Sequence, residues 1–298
     1  MIRFYLGFLS LFLFSGNPVQ ACDRCGCSLS GHYLSALPQY QRHVAGARWF
    51  YRGFESEHHG DEYTREQFHS MELWGRFYPL KRLQILGVLP VNFFTQTGGE
   101  APLTRNGLGD AVLLANYNLL QNVWGNDKKW RQAFYLGGGV KLPTGKFDRR
   151  LVDQGVNPNM QPGTGAFDWL LSGTYTLRRG DWGLNTDALW RFSRENSAGY
   201  QFGNRLNVSG RVFYWLQSGK NKWLPSLGIA HEWAAVDRDG QTRLSDTGGY
   251  CLFGTAGLDW YTGNIALSAA WNLPLRQELA KGHIDAGQRV QVGLAYIF

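Results

Sequence analysis

From Tyr40 to its last residue the sequence repeats one pattern. A segment of roughly ten or more residues alternates apolar with polar or small side chains, and a turn then breaks it. Successive residues of a β-strand point to opposite faces, so each segment presents one apolar and one polar face. A strand that crosses a bilayer needs about 9–11 residues, and these segments have that length. The pattern predicts strands near 43–54, 67–78, 83–96, 109–120, 132–143, 166–178, 182–193, 203–216, 223–235, 249–261, 264–275 and 288–298. Val290, Val292, Leu294, Tyr296 and Phe298 form one wholly apolar face, against Arg289, Gln291, Gly293 and Ala295, with Ile297 the exception. Likewise Phe167, Trp169, Leu171, Tyr175 and Leu177 oppose Asp168, Ser172, Thr174 and Thr176.

A soluble sandwich also alternates, but its strands are usually shorter, about 5–6 residues. Composition separates the two. Aromatics reach 15%, Gly numbers 38, and charged residues are 18% against a usual figure of roughly 25%. Mean hydropathy is −0.31, too low for a bundle of apolar helices. The connections alternate in length. Short ones fall at 79–82, 179–181, 217–222 and 262–263, and long polar ones at 55–66, 97–108, 144–165, 194–202, 237–248 and 277–287. The fold expected is therefore all-β: an antiparallel transmembrane β-barrel of about twelve strands in a bacterial outer membrane, with short periplasmic turns and longer extracellular loops.

Residues 1–21 read as a cleaved signal peptide, with Arg3 ahead of an apolar run from Phe4 to Phe14 that is too short to span a bilayer. The expected organisation is thus 1–21 signal peptide, 22–40 periplasmic Cys-rich segment and 41–298 barrel. The expected partners are outer-membrane lipid, the barrel assembly machinery and a small solute or metal ion. A chain ending on Tyr296-Ile297-Phe298 resembles the terminal aromatic signal that this machinery reads. The net charge of +7 is spread over isolated residues and short pairs such as Lys128-Lys129, Arg149-Arg150 and Arg178-Arg179. No nucleic-acid partner is expected, because such binding leaves a basic face or stripe.

Two motifs stand apart from the alternation. Gly107-Leu108-Gly109-Asp110 precedes the fourth strand, and Gly138-Gly139-Val140-Lys141-Leu142-Pro143-Thr144-Gly145 closes the fifth. Together they resemble a family of outer-membrane "transporter" proteins linked by name to the MetA pathway of phenol degradation. The resemblance implies class and location rather than a substrate. Both motifs read first as structural: the glycines relieve backbone constraints where a loop enters a strand, Asp110 can accept from loop amides, and Pro143 suits a strand end.

If the polar faces point inward, the lumen is lined by Arg48, Arg52, Arg76, Lys141, Arg191, Arg205, Arg211 and Arg289, and by Glu72, Asp110, Asp168, Asp187, Glu232 and Asp259. The signs nearly balance, whereas a strongly ion-selective pore wants rings of one sign. A narrow or gated passage is expected over an open porin. The connection 144–165 can fold inward as a constriction, but its polar, Gly- and Pro-rich composition is read as a flexible surface loop.

The segment with most chemical potential is Cys22-Asp23-Arg24-Cys25-Gly26-Cys27, followed by His32. Its thiolates and imidazole can converge on copper or zinc. A disulfide in the oxidising periplasm and lipidation of Cys22 are the competing readings. No resident cofactor beyond that candidate copper or zinc is expected. His58-His59, flanked by carboxylates, reads as a solvated loop tip. Cys251 reads as a small packed residue. No catalytic triad is discernible: His69 and Ser70 are sequence neighbours and face opposite ways in a strand, so no enzyme is expected. Two functions remain, a passive channel or transporter for a small solute or metal ion, and a closed, non-conducting barrel that serves as a docking module.

Overall fold

In the computed structural model, which describes residues 42–57, 63–98, 102–124 and 130–298, the alternating segments close into a barrel. Twelve strands follow one another round it: β1 Val44–Glu57, β2 Tyr63–Leu80, β3 Leu83–Thr97, β4 Ala111–Trp124, β5 Trp130–Leu142, β6 Asp168–Arg179, β7 Trp182–Phe192, β8 Arg205–Tyr214, β9 Asn221–Ala234, β10 Gly249–Thr262, β11 Ile265–Leu279 and β12 Ile284–Ile297. Each is antiparallel to its neighbours. β12 pairs with β1, Ile297 lying opposite Val44, so the ring closes without a free edge. Leu103–Leu108 and Leu216–Ser218 are short continuations of β4 and β8 across local irregularities. The signal peptide expected over 1–21, the Cys-rich segment over 22–40, and the His58-His59 and Lys128-Lys129 pairs lie outside the described residues.

Every strand the alternation predicts is present, but several run further at the long-loop end. β1 reaches Glu57 and β2 starts at Tyr63, where the pattern predicts a loop over 55–66. β11 and β12 likewise absorb much of the loop predicted over 277–287. Ser56, Thr64, Glu66, Leu279 and Ile284 are all buried on the inner face, while Glu55, Arg65 and Asp285 are exposed on the outer one. The two-residue period therefore continues beyond the apolar band, and the ladder continues with it. At the opposite end the turns are tight. Gly180, Gly219 and Gly263 take φ of 58°, 58° and 55°, a left-handed conformation that tight hairpin turns require.

The outer face of the wall is apolar: Leu73, Leu113, Leu171, Leu227, Ile229, Val292 and Leu294 are exposed. In water such a surface is far larger than a soluble monomer carries, and in a bilayer it is the lipid contact. Aromatic residues flank it. Trp182, Trp223, Tyr296 and Phe298 lie toward the short turns, and Phe93, Trp169 and Phe192 toward the long loops.

Candidate functional site: an occluded lumen

The connection from β5 to β6 corrects the reading of 144–165 as a flexible surface loop. It contains a short helix, α1 (Arg149–Asp153), and a 3-10 turn, Pro158–Met160, and it enters the barrel. Met160 is 0% exposed and packs among inward-facing Phe54, Phe68, Phe94, Phe253, Leu279 and Ile284. The loop is mostly polar in composition, but its Met160 has a ready-made apolar socket. Two glycines allow the inward course. The limbs of the loop touch at Gly145 and Gly163, where a Cβ on Gly145 would lie 2.6 Å from the Gly163 Cα.

The two sequence motifs meet at the root of this loop. Gly109 donates its N–H to the Pro90 carbonyl (2.9 Å), and the break in the ladder there aims Asp110 into the lumen. Asp110 Oδ2 accepts from Lys141 Nζ (2.8 Å), the Thr164 N–H (2.9 Å) and Thr164 Oγ1 (2.7 Å), and Oδ1 accepts from the Gly145 N–H (3.0 Å). Lys141 also meets Asp168 Oδ2 at 3.0 Å, the Ala166 carbonyl at 3.2 Å and Thr164 Oγ1. Thr144 Oγ1 accepts from the Ala111 N–H and donates to the Gly109 carbonyl. The hub ties both ends of the loop to three strands through charge-assisted hydrogen bonds, the strong class of such bonds. A second anchor runs along the inner wall of β1 to β3 to the loop: Arg52 donates to Ser70, Ser70 to Asn92, and Asn92 Nδ2 to the Pro162 carbonyl (2.9 Å).

The outer loops complete a roof. Tyr200–Gln201, Arg238–Asp239 and Thr242–Arg243 form a small sheet, and Arg149 of α1 is ion-paired to its Asp239. Asn196 Nδ2 donates to the Thr164 carbonyl, and Asp237 accepts from the Tyr200 hydroxyl and the Gly203 N–H. Hydrogen bonds from Arg150 hold the Asp148 carboxyl below its ordinary range, and those from Lys281 and Ser245 do the same for Asp246.

The structure places the remaining lumen residues on the inner face and pairs many of them. Arg48 meets Glu72 at 2.7 Å, Arg289 meets Glu232 at 2.7 Å, Arg191 lies 3.7 Å from Asp168, and Arg211 lies 4.0 Å from Asp259. Arg289 joins β12 to non-adjacent β9 and stacks 4.1 Å over Phe253 of β10, so it crosses the lumen. Asp187 accepts from Thr174 and Asn185. Arg76 lies over Tyr78, and Arg205 is buried opposite Arg191. The inner face is less polar than alternation alone suggests. Trp74, Leu86, Val88, Leu114, Leu170 and Leu189 also point inward and form one buried cluster. Glu66, Arg178 and Lys222 are inner-face charges that sequence reading leaves out. Each sits at or beyond a predicted strand end, where the phase of alternation cannot be carried across a turn.

The lumen is thereby divided. An outer vestibule of about 590 Å³ is bounded by Val152, Val156, Pro158, Tyr200 and Lys281. Beneath the loop lie pockets of about 70 Å³, against Glu72, Asp110 and Lys141, and about 80 Å³, against Arg52, Arg211, Glu232 and Arg289. A fourth space of about 140 Å³ opens near the short turns.

Cys22, Cys25, Cys27 and His32, the residues read as a metal clip, lie outside the described residues. Among the described residues no group of three or more His, Cys, Asp or Glu stands close enough to hold a metal. Cys251 is buried beside the Met160 socket, 3.8 Å from Gln277 Oε1. Ser70 faces inward, and His69 stacks outside on Trp49.

No protein-family model matches the chain, and no curated protein sequence matches it. Solved structures do resemble it. The COG4313 outer membrane channel from Pseudomonas putida F1 superposes with a TM-score of 0.64 at 15% identity, over 89% of this chain and 98% of that one. The beta domain of the Bordetella autotransporter BrkA superposes with a TM-score of 0.51 at 13% identity, over 86% of this chain and 100% of that one. Closed ring, apolar outer face and shared fold agree: the protein is a twelve-stranded β-barrel of the bacterial outer membrane.

Proposed function

We propose that the barrel is a gated passage for small solutes, with segment 143–167 as its gate. The observation that carries this reading is the seating of Met160 and the hub at Asp110, Lys141 and Thr164. One inward loop blocks a lumen that holds spaces above and below it. A permanently closed barrel has no need of such a device, since side chains alone fill smaller barrels. The inner face offers apolar clusters beside paired charges, a lining suited to small amphipathic solutes rather than to bare ions. The N-terminal segment, with Cys22, Cys25, Cys27 and His32, is proposed as a periplasmic copper or zinc clip.

The test is conductance in planar bilayers and solute-driven swelling of proteoliposomes. The wild type is compared with a variant in which residues 147–161 are replaced by a short Gly-Ser link. Brief or no openings in the wild type and a steady pore in the variant support gating. A variant that conducts no more than the wild type leaves the second reading, a non-conducting docking module.

A further inference from the structure

The wall beneath the inward loop holds a carboxylate that is only half satisfied. The Glu72 side chain is 0% exposed, and its Oε2 accepts from Arg48 Nε at 2.7 Å. Its Oε1 is also buried and, among the described residues, has no hydrogen-bond donor. Glu72 lines the pocket of about 70 Å³ under the loop, together with Asn92, Val88, Phe94, Val112 and Phe202. Pro158 and Pro162 of the loop line it too and form its roof. A buried carboxylate oxygen without a donor is costly, and a group that donates to it from the pocket removes that cost.

The fold places a second polar group beside it. Glu72 of β2 stands opposite Pro90 of β3, which has no N–H, and Ser70 stands opposite Asn92. Glu72 and Asn92 are therefore diagonal neighbours on one face, a relation that sets Cα atoms about 7–8 Å apart. One small molecule can touch both side chains. Asn92 Nδ2 carries two N–H bonds and uses one on the Pro162 carbonyl, so one remains. The pocket sits at a break in the wall: β3 pairs with β4 as far as Val88, and the ladder resumes at Val91 with 103–108. Gly109 closes the break without filling it. A Cβ there would lie 2.6 Å from Asn92 Nδ2 and 2.8 Å from Pro90 Cγ, so a larger residue would displace Asn92.

We propose that this pocket is a subsite for a small uncharged alcohol, a proposal that rests on the reading of 143–167 as the gate of a solute passage. The hydroxyl donates to Glu72 Oε1 and accepts from the Asn92 amide, and the carbon part lies against Val88, Val112, Phe94 and Phe202. A hydroxyl fits because it donates and accepts from one atom. The bond to Glu72 is charge-assisted, and the apolar walls strengthen it. An ion does not fit. The charges at the pocket are already paired, Arg48 with Glu72, Lys141 with Asp110 and Arg191 with Asp168, so a further charge would be buried without compensation. Water can make the same two hydrogen bonds but covers none of the apolar wall, which a carbon chain does. Roughly 10–15 Å³ of such space admits one water, so the pocket takes a molecule of a few heavy atoms. Its occupant lies directly under the gate.

The experiment is ligand-observed saturation-transfer NMR on the full chain folded in deuterated detergent, with empty micelles as the blank. The probes are propan-2-ol and acetone, which share size and shape, but only the alcohol donates a hydrogen bond. Propan-2-ol is expected to give a saturable signal and acetone is not. Glu72→Gln removes the charge that strengthens the bond and should weaken propan-2-ol by at least about fivefold. Val112→Phe fills the pocket and should abolish the signal, whereas Leu113→Phe, one residue on and facing lipid, should leave it unchanged. Heat-modifiable gel mobility checks that each barrel is folded, and the comparison of the two probes on the wild type depends on no variant. No saturable propan-2-ol signal in the wild type would overturn the proposal and leave water as the occupant. Equal binding of acetone, or undiminished binding in folded Glu72→Gln or Val112→Phe, would also overturn it. Conductance on the same preparations separates the two readings. Alcohol binding without a pore removes the gated passage and keeps the pocket, and a pore without alcohol binding does the reverse.

Discussion

Asp110→Asn is the sharpest probe of the hub. The substitution preserves the shape of the side chain and removes its charge. Asp110 receives four hydrogen bonds, two of them from the amides of Gly145 and Thr164 at the two ends of the inward loop. Loss of one partner from a buried ion pair costs about 3–5 kcal/mol. Lys141 keeps Asp168 at 3.0 Å, so the lower end applies, about 3 kcal/mol. At about 1.4 kcal/mol per decade this raises the population of the released loop by about a hundredfold. The barrel wall is left intact, because its strands are held by their own ladder. Hydrogen–deuterium exchange read on peptides from 143–167 should show amide protection reduced by about that factor, with peptides from β8 to β12 unchanged. In bilayers the same variant should open more often. If protection over 143–167 stays within about threefold of the wild type, the hub does not hold the loop and the argument for a gate on that footing is wrong.

Other consequences can be checked independently. Gly145→Val places a branched side chain against Gly163, so it should unseat the loop and increase proteolysis after Lys146, Arg149 and Arg150 while heat-modifiable mobility is retained. Arg289→Met removes the cation from Glu232 inside the lumen, and it should lower the denaturant midpoint by an amount equivalent to about 3 kcal/mol. The Asp148 and Asp246 carboxyls are depressed below the 3.8 of a free Asp by their partners. The support they give the roof is therefore complete above about pH 4 and is lost as pH falls through their lower folded values. Exchange protection over 237–248 should be the same at pH 7 and pH 5 once corrected for intrinsic rates, and should fall only below about pH 4. Replacing Cys22, Cys25 and Cys27 by Ser should abolish bound copper or zinc in the reduced mature protein, as measured by mass spectrometry; equal metal content in both forms would remove the clip.

The wall of this protein is written in its sequence and its plug is not. Strand formation here depends on a local two-residue period, so Leu171 against Ser172, or Val292 against Gln291, already says which side meets lipid. Twelve such segments, with short and long connections in alternation, leave a closed barrel as the arrangement that pairs every edge. The inward face of each charged lumen residue follows from the same phase. Three things required the closed ring. The fate of 143–167 depends on Asp110 and Thr164, which are 54 residues apart in the chain, and on a socket for Met160 drawn from six strands. The pairing of Arg289 with Glu232 crosses strands that are not neighbours. The space near the short turns gathers Arg42, Arg76 and Lys222 from three strand ends that lie far apart in the chain. Alternation is a property of consecutive residues and survives in one dimension. Contacts across a lumen exist only once curvature has brought opposite walls within reach.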